Sequence, residues 1–257
     1  MEFSDALERI GRLGFEYVDL ICIPGFGHII PAELAEGFDD YSGGIERALA
    51  RAGLTPIAAN MAVASPYLRN DEEVNAQRLR EVEGVARLAR DLGVRNVSFF
   101  PGGNWPAREM DWKDVLWGET ETVREILDIG GRYGVTFAVE LHANTPFETV
   151  EQGAALLEAV PELKVAYDPS HFVMREVPLD ATALFLERAS HLHFRDAAPG
   201  RMTAPFGVGA TDFDELFRLL DETGFDGDIS IEYLPKPEDE PERQIAAALA
   251  WLQARLS

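Results

Sequence analysis

Apolar and polar positions follow two alternating rhythms along the chain. Five times an amphipathic stretch of helical period closes on a glycine and gives way to a short run rich in β-branched and aromatic residues: RLG-FEYVDLICI, RAG-LTPIAANM, DLG-VRNVSFF, RYG-VTFAVEL and ETG-FDGDISIEY. Glycine suits a helix C-terminus because it takes the left-handed conformation without a Cβ clash. Gly14, Gly53, Gly93 and Gly134 recur at intervals of 39, 40 and 41 residues, and the longer gap to Gly224 holds two more strand-like runs, LKVAYD and SHLHFRD. The pattern therefore predicts seven strands, near 15–23, 55–62, 94–100, 135–141, 163–168, 190–195 and 228–233. Helical period returns between them, at Asp71–Leu92 behind an Asn70 or Asp71 cap, and at Thr145–Ala159 with Pro146 in the first turn.

Strands that alternate with helices and read as nearly continuous apolar runs imply a parallel sheet covered on both faces. The regular period favours an α/β (β/α)8 TIM barrel over a Rossmann sheet, whose glycine-rich fingerprint PGFGHIIP does not supply. The first β-strand is missing: the chain opens in a helix, Ser4–Leu13, where a barrel of eight begins with a strand. An open edge of that kind calls for cover by another chain, which is compatible with a homo-oligomer. With no linker or low-complexity stretch in view, residues 1–257 read as one TIM-barrel domain.

Composition narrows the partners. Forty-five acidic against 23 basic residues give a net charge of −22, which repels nucleic-acid backbones and anionic membranes alike. The one cysteine, Cys22, lies in the apolar run YVDLICI and reads as a buried hydrophobe, so no disulfide forms within the chain. No stretch is apolar for long enough to span a bilayer, and the start Met1-Glu2-Phe3-Ser4-Asp5 lacks a basic secretion signal, so the expected location is cytoplasmic.

In a barrel of this type the chemistry sits at the C-terminal ends of the strands. There the late strands carry Glu140 (FAVELHAN), Asp168 (VAYDPSH), His193 (HLHFRD) and Glu232 (ISIEY), spaced 28, 25 and 39 residues apart. One polar group per successive strand lets all four converge on one mouth. Two glutamates, an aspartate and an imidazole form a hard donor set suited to one divalent ion: Mn²⁺ first, with Mg²⁺, Co²⁺ or Zn²⁺ as the other candidates. In KVAYDPSHF, Pro169 ends the strand and leaves Asp168 at the rim, with His171 close enough to touch a bound substrate.

At these residues the chain resembles the xylose-isomerase-like barrel superfamily, often labelled sugar phosphate isomerase/epimerase, over nearly its whole length. The resemblance is carried by VELHANT at Glu140, Asp168-x-x-His171, the run His191-x-His193-x-x-Asp196, Gly207-x-Gly209 before Asp212-Phe213, and SIEY at Glu232. It implies that Glu140, Asp168, His193 and Glu232 hold one divalent metal, and that Glu140 and Glu232 face each other across a sugar or keto-polyol. It further implies that those two glutamates move protons beside a carbonyl through an enediolate. Three features depart from the family's pattern: the missing strand, Arg195 where lysine is common, and no arginine at the usual spacing after His193, with Arg201 slightly beyond. They bear on the substrate more than on the metal.

Several other residues are candidates for contact with substrate. His142 keeps the side of the strand that Glu140 occupies, Arg195 follows the ligand histidine, and Trp105 leads the run NWPAREMDWKDVLW, which with Trp112 and Trp117 reads as a lid or as packing onto the barrel. His28 lies in the loop after the first strand, PGGN offers a weak phosphate cradle, and His191 is expected to be structural. The leading function is a metal-dependent isomerase or epimerase. A lyase or dehydratase of inosose or dehydroshikimate type begins with the same proton abstraction, and a non-catalytic sugar-binding barrel is the third reading.

Overall fold

The computed structural model describes residues 2–62, 71–101, 110–233 and 240–256. Its strands are β1 (Tyr17–Cys22), β2 (Thr55–Met61), β3 (Asn96–Phe99), β4 (Thr136–Val139), β5 (Lys164–Tyr167), β6 (Ala189–Phe194) and β7 (Asp228–Ile231). All pair in parallel, in sequence order from β1 to β7. Around them run α1 (Phe3–Arg12), α2 (Pro31–Glu36), α3 (Phe38–Ala52), α4 (Glu72–Leu92), α5 (Trp112–Tyr133), α6 (Val150–Ala159), α7 (Ser170–Val173), α8 (Ala183–Leu186), α9 (Phe213–Thr223) and α10 (Pro241–Leu256).

The result is a nearly closed TIM barrel of seven parallel strands, and the seven expected strands are all present. Among the described residues no ladder joins β1 to β7. That seam explains a difference in burial: in β3, β4 and β5 the last three residues are buried, whereas every residue of β7 is at least partly exposed. The other edge strand, β1, keeps Tyr17 to Asp19 at least partly exposed as well, but buries Leu20 and Cys22. No helix among the described residues is long and apolar enough to cross a membrane.

Local chemistry sets most of the boundaries. Gly53, Gly93, Gly134 and Gly224 end α3, α4, α5 and α9 in the left-handed conformation, and Asp71, Asp111 and Asp212 accept backbone N–H groups at the starts of α4, α5 and α9. One expected helix, Thr145–Ala159, begins later. Thr149 and Gln152 form a reciprocal capping box that starts α6 at Val150. The preceding residues turn instead: Asn144 has φ 64°, and the Thr145 hydroxyl donates to the His142 carbonyl at 2.7 Å. Pro146 thus lies in the turn rather than in a first helical turn. The last helix is held by aromatic packing, with Trp251 of α10 stacked on Phe194 at the end of β6, 5.7 Å between centroids.

Between α4 and α5 the fold buries a carboxylate. Glu119 is fully buried, and neither of its oxygens has a hydrogen-bond partner among the described residues. Burial pushes its carboxyl up to about 8, with Arg78 offsetting only part of the cost. The folded chain therefore holds this proton where the unfolded chain has released it, so stability falls as pH rises from about 4.5 towards 8 and levels off above. Glu119→Gln is expected to remove that slope and to gain about 4 kcal/mol at pH 8 and nothing at pH 4. Urea unfolding of both proteins across this range checks it; parallel stability curves would refute it.

Candidate metal centre and active site

Four consecutive strands deliver one polar group each to the same end of the barrel. Glu140 follows β4 and is placed by its N–H bond to Phe99 O at 2.7 Å; Glu232 follows β7 and is placed by its bond to Phe194 O at 3.2 Å. Asp168 follows β5, and His193 is the penultimate residue of β6. One ligand atom from each of the four lies within 4.8 Å of the others. Glu140, Asp168 and His193 are each 2% exposed, and the Glu232 side chain 19%, so the pocket admits solvent on the Glu232 side.

Electrostatics hold His193, Glu140 and Glu232 in their charged forms. His193 Nδ1 lies 2.8 Å from Glu140 Oε1 and 3.2 Å from Glu232 Oε2. Burial alone would lower the imidazole pKa, but the carboxylates of Glu232 and Glu140 overcome it and hold the ring well above its ordinary value. In return, burial would raise both glutamates, yet His193 and His171 hold Glu140 well below the usual carboxylate range, and Arg195 with His193 holds Glu232 down to about 2.

The run Asp168-Pro169-Ser170-His171 now has a physical account. Asp168 Oδ1 accepts the Ser170 N–H at 2.8 Å and so starts the short helix α7, while Oδ2 faces the centre beside Arg195 Nη2 and 3.4 Å from His171 Nε2. His171 Nδ1 accepts the Ala143 N–H at 3.3 Å, which assigns the ring proton to Nε2, the nitrogen aimed at Asp168 and Glu140. His142 has the opposite arrangement. Its Nδ1 donates to the Ala143 carbonyl at 2.6 Å, its ring lies 4.0 Å from that of His171, and burial and His171 lower its pKa, leaving a neutral ring.

Arg195 is buried with its donors turned to protein: Nη2 meets Asp168, Nε donates to Ser170 Oγ at 2.8 Å, and Nη1, with no hydrogen bond among the described residues, lies 3.5 Å from Glu232 Oε2. Trp105 and Gly102 to Asn104 of the PGGN run lie outside the described residues. Trp112 packs edge-on against Phe147 at 5.5 Å, whereas Trp117 is exposed. His28 sits against the ring of Phe3, and Arg201 is exposed.

Asp196 has a role that the spacing of the histidines did not reveal. Its carboxylate accepts the N–H groups of Ala197, Gly207 and Gly209 at 2.9 Å and of Thr211 at 3.3 Å, so one side chain anchors the loop after β6. A Cβ on Gly209 would lie 2.1 Å from Asp196 Oδ1, which accounts for the second glycine of Gly207-x-Gly209. Sequence reading also passed over Asp19, an acid in the middle of the apolar strand YVDLIC, whose carboxylate meets His191. A lone charge inside a strand pattern was the available signal.

The residues present fit a divalent cation. Three carboxylates and an imidazole converge without a thiolate, and Glu232 Oε2 has no hydrogen bond within the described residues. A parallel barrel that gathers such a donor set at the C-terminal mouth of its last four strands defines a TIM-type (β/α) barrel with a candidate metal centre. The chain belongs to the xylose isomerase-like TIM barrel family, whose model matches residues 7–255.

Among its relatives, the L-ribulose-5-phosphate 3-epimerase UlaE of Escherichia coli O157:H7 is 23% identical over 202 residues, covering 75% of this chain and 68% of that protein. D-allulose 3-epimerase from a Methylomonas species, solved with D-allulose, superposes with a TM-score of 0.78 at 15% identity, over 98% of this chain and 90% of the other. A xylose isomerase-like TIM barrel protein of Mycobacterium smegmatis, solved with magnesium, gives 0.76 at 18% identity, over 97% and 86%. At these identities the likeness between structures is one of fold.

Proposed function

We propose that the chain is a divalent-metal-dependent epimerase or isomerase of a keto-sugar or keto-polyol, acting by proton transfer next to the carbonyl through an enediolate. The observation that carries this reading is the pair of carboxylates, Glu140 and Glu232, brought together at His193 Nδ1 at 2.8 and 3.2 Å. Sugar 3-epimerases among its sequence relatives and structural neighbours support it, as does the magnesium-bound neighbour.

Glu140, Asp168, His193 and Glu232 would hold the ion, Mn²⁺ foremost. When bound, it supplies Lewis acidity to the substrate oxygens and so lowers the cost of forming the enediolate. The chain's own residues do the rest. Glu140 and Glu232 are held ionised in the resting site. One, as carboxylate, removes the proton on its face of the carbon, while the other must first take up a proton from solvent and then returns it on the opposite face, which inverts the centre. The first releases its proton to solvent to close the cycle. His171 presents Nε2–H from beside Asp168 as a donor to a substrate oxygen, and His142 offers Nε2 as an acceptor for a hydroxyl. Arg195 keeps one N–H direction, Nη1, without a hydrogen-bond partner among the described residues and adjacent to Glu232.

The test uses protein purified without added metal, then loaded with Mn²⁺ and incubated in D₂O with D-allulose, D-tagatose and L-ribulose 5-phosphate. The expected outcome is about one divalent ion per chain, lost in Asp168→Ala, and deuterium appearing by NMR at the carbon next to the carbonyl of one of these sugars. Absence of metal binding even in excess Mn²⁺ would overturn the reading.

A further inference from the structure

Below the four donors lies a smaller polar layer that the proposed reaction does not use. His191 and His193 alternate on one face of β6, and the buried His191 meets Asp19 at 2.9 Å, Nε2 to Oδ2. Asp19 comes from β1, 172 residues earlier in the chain, and Ser230 of β7 stands beside the same carboxylate. One polar atom from each of Asp19, His191 and His193 lies within 4.8 Å of the others, and the two rings meet nearly edge to face, 5.1 Å between centroids at 82°.

This layer is the floor on which the His193 ring rests. With Nδ1 turned to Glu140 and Glu232, the ring can present that nitrogen in only one orientation, and rotation about its side-chain bonds would carry it away. An imidazole that binds a metal is oriented, and made a better donor, by the carboxylate or polar group on its far side. No backbone ladder among the described residues joins β1 to β7, and the bond from Asp19 to His191 links β1 to β6 through side chains. Asp19 and His191 are joined by one direct bond, Nε2 to Oδ2, which fits a support, while Asp19 Oδ1 and His191 Nδ1 have no hydrogen-bond partner among the described residues.

We propose that Asp19, acting with His191, is a positioning residue for His193: it fixes the ring with Nδ1 towards Glu140 and Glu232 and places a negative charge beneath it, raising the affinity of the centre for a divalent ion. This rests on the metal reading above.

The experiment titrates Mn²⁺ alone, against a competing chromophoric chelator, into the wild-type chain, Asp168→Ala, Asp19→Asn and His191→Phe, and records the visible spectrum of the Co²⁺ forms and the thermal unfolding of each. Asp19→Asn is expected to bind Mn²⁺ about 10–100-fold more weakly and to shift the Co²⁺ bands, with Asp19→Glu recovering part of the affinity. His191→Phe, which keeps the ring volume, is expected to weaken binding in the same direction and carries the test if Asp19→Asn does not fold. A folded Asp19→Asn with wild-type affinity and an unchanged Co²⁺ spectrum would overturn the proposal, as would a lowered melting temperature with affinity intact. A wild-type chain that binds no ion overturns the metal reading and this inference with it; binding that only Asp168→Ala abolishes overturns this inference alone.

Discussion

Glu140→Gln and Glu232→Gln are each expected to slow epimerisation by about 10²–10⁴-fold, the usual contribution of a positioned acid or base. Glutamine keeps the shape of the side chain and one oxygen but cannot accept a proton at neutral pH. The two variants should not fail alike. With one carboxylate on each face of the reacting carbon, each variant retains the base for one epimer only. Glu140→Gln should therefore wash deuterium into one epimer and Glu232→Gln into the other, although neither completes the inversion. Metal content measured on the same samples separates loss of the base from loss of the ion. Either variant retaining more than about a tenth of wild-type turnover would contradict the assignment.

Arg195→Leu is expected to be the most destabilising change at the site. The guanidinium is buried against Asp168, with Ser170 Oγ at 2.8 Å and Glu232 at 3.5 Å, so its removal strands buried carboxylates without their counter-charge. Breaking a buried pair by deleting one partner costs about 3–5 kcal/mol, because the remaining charge has lost both water and its mate. A cation in the adjacent donor set supplies a substitute charge. Mn²⁺ at about a hundred times its dissociation constant should return about 2.7 kcal/mol to any form that binds it. Arg195→Lys should lie between, since an ammonium keeps the charge but cannot meet Asp168 and Ser170 together. Urea unfolding with and without Mn²⁺ checks all three; a loss below about 1 kcal/mol in Arg195→Leu would refute the pairing.

The convergence of Glu140, Asp168, His193 and Glu232 was legible because each stands at or near the end of a different apolar run, one strand apart. A barrel needs nothing further to bring such positions to one mouth. The strands were legible for the same reason, since period and glycine ends are local properties of the chain, as is the cap at Asp71. Where a nearby choice competed, the reading slipped: Pro146 looked like a first helical turn, but the reciprocal pair Thr149 and Gln152 satisfied more backbone groups and started α6 four residues after it.

What the chain by itself determined is therefore which residues face inward and at which level of the barrel, because side-chain direction repeats with the period of the strand or helix. Only the tertiary structure decided which of them meet. Asp196 and His193 stand three residues apart, yet one anchors a loop by four backbone bonds and the other turns into the donor set. Arg195 lies against Asp168 rather than open to solvent, and Asp19 reaches His191 across 172 residues of sequence. Partners of that kind are chosen by barrel curvature and by the cost of leaving a buried polar group without a complement, and neither is written in the spacing of a single strand.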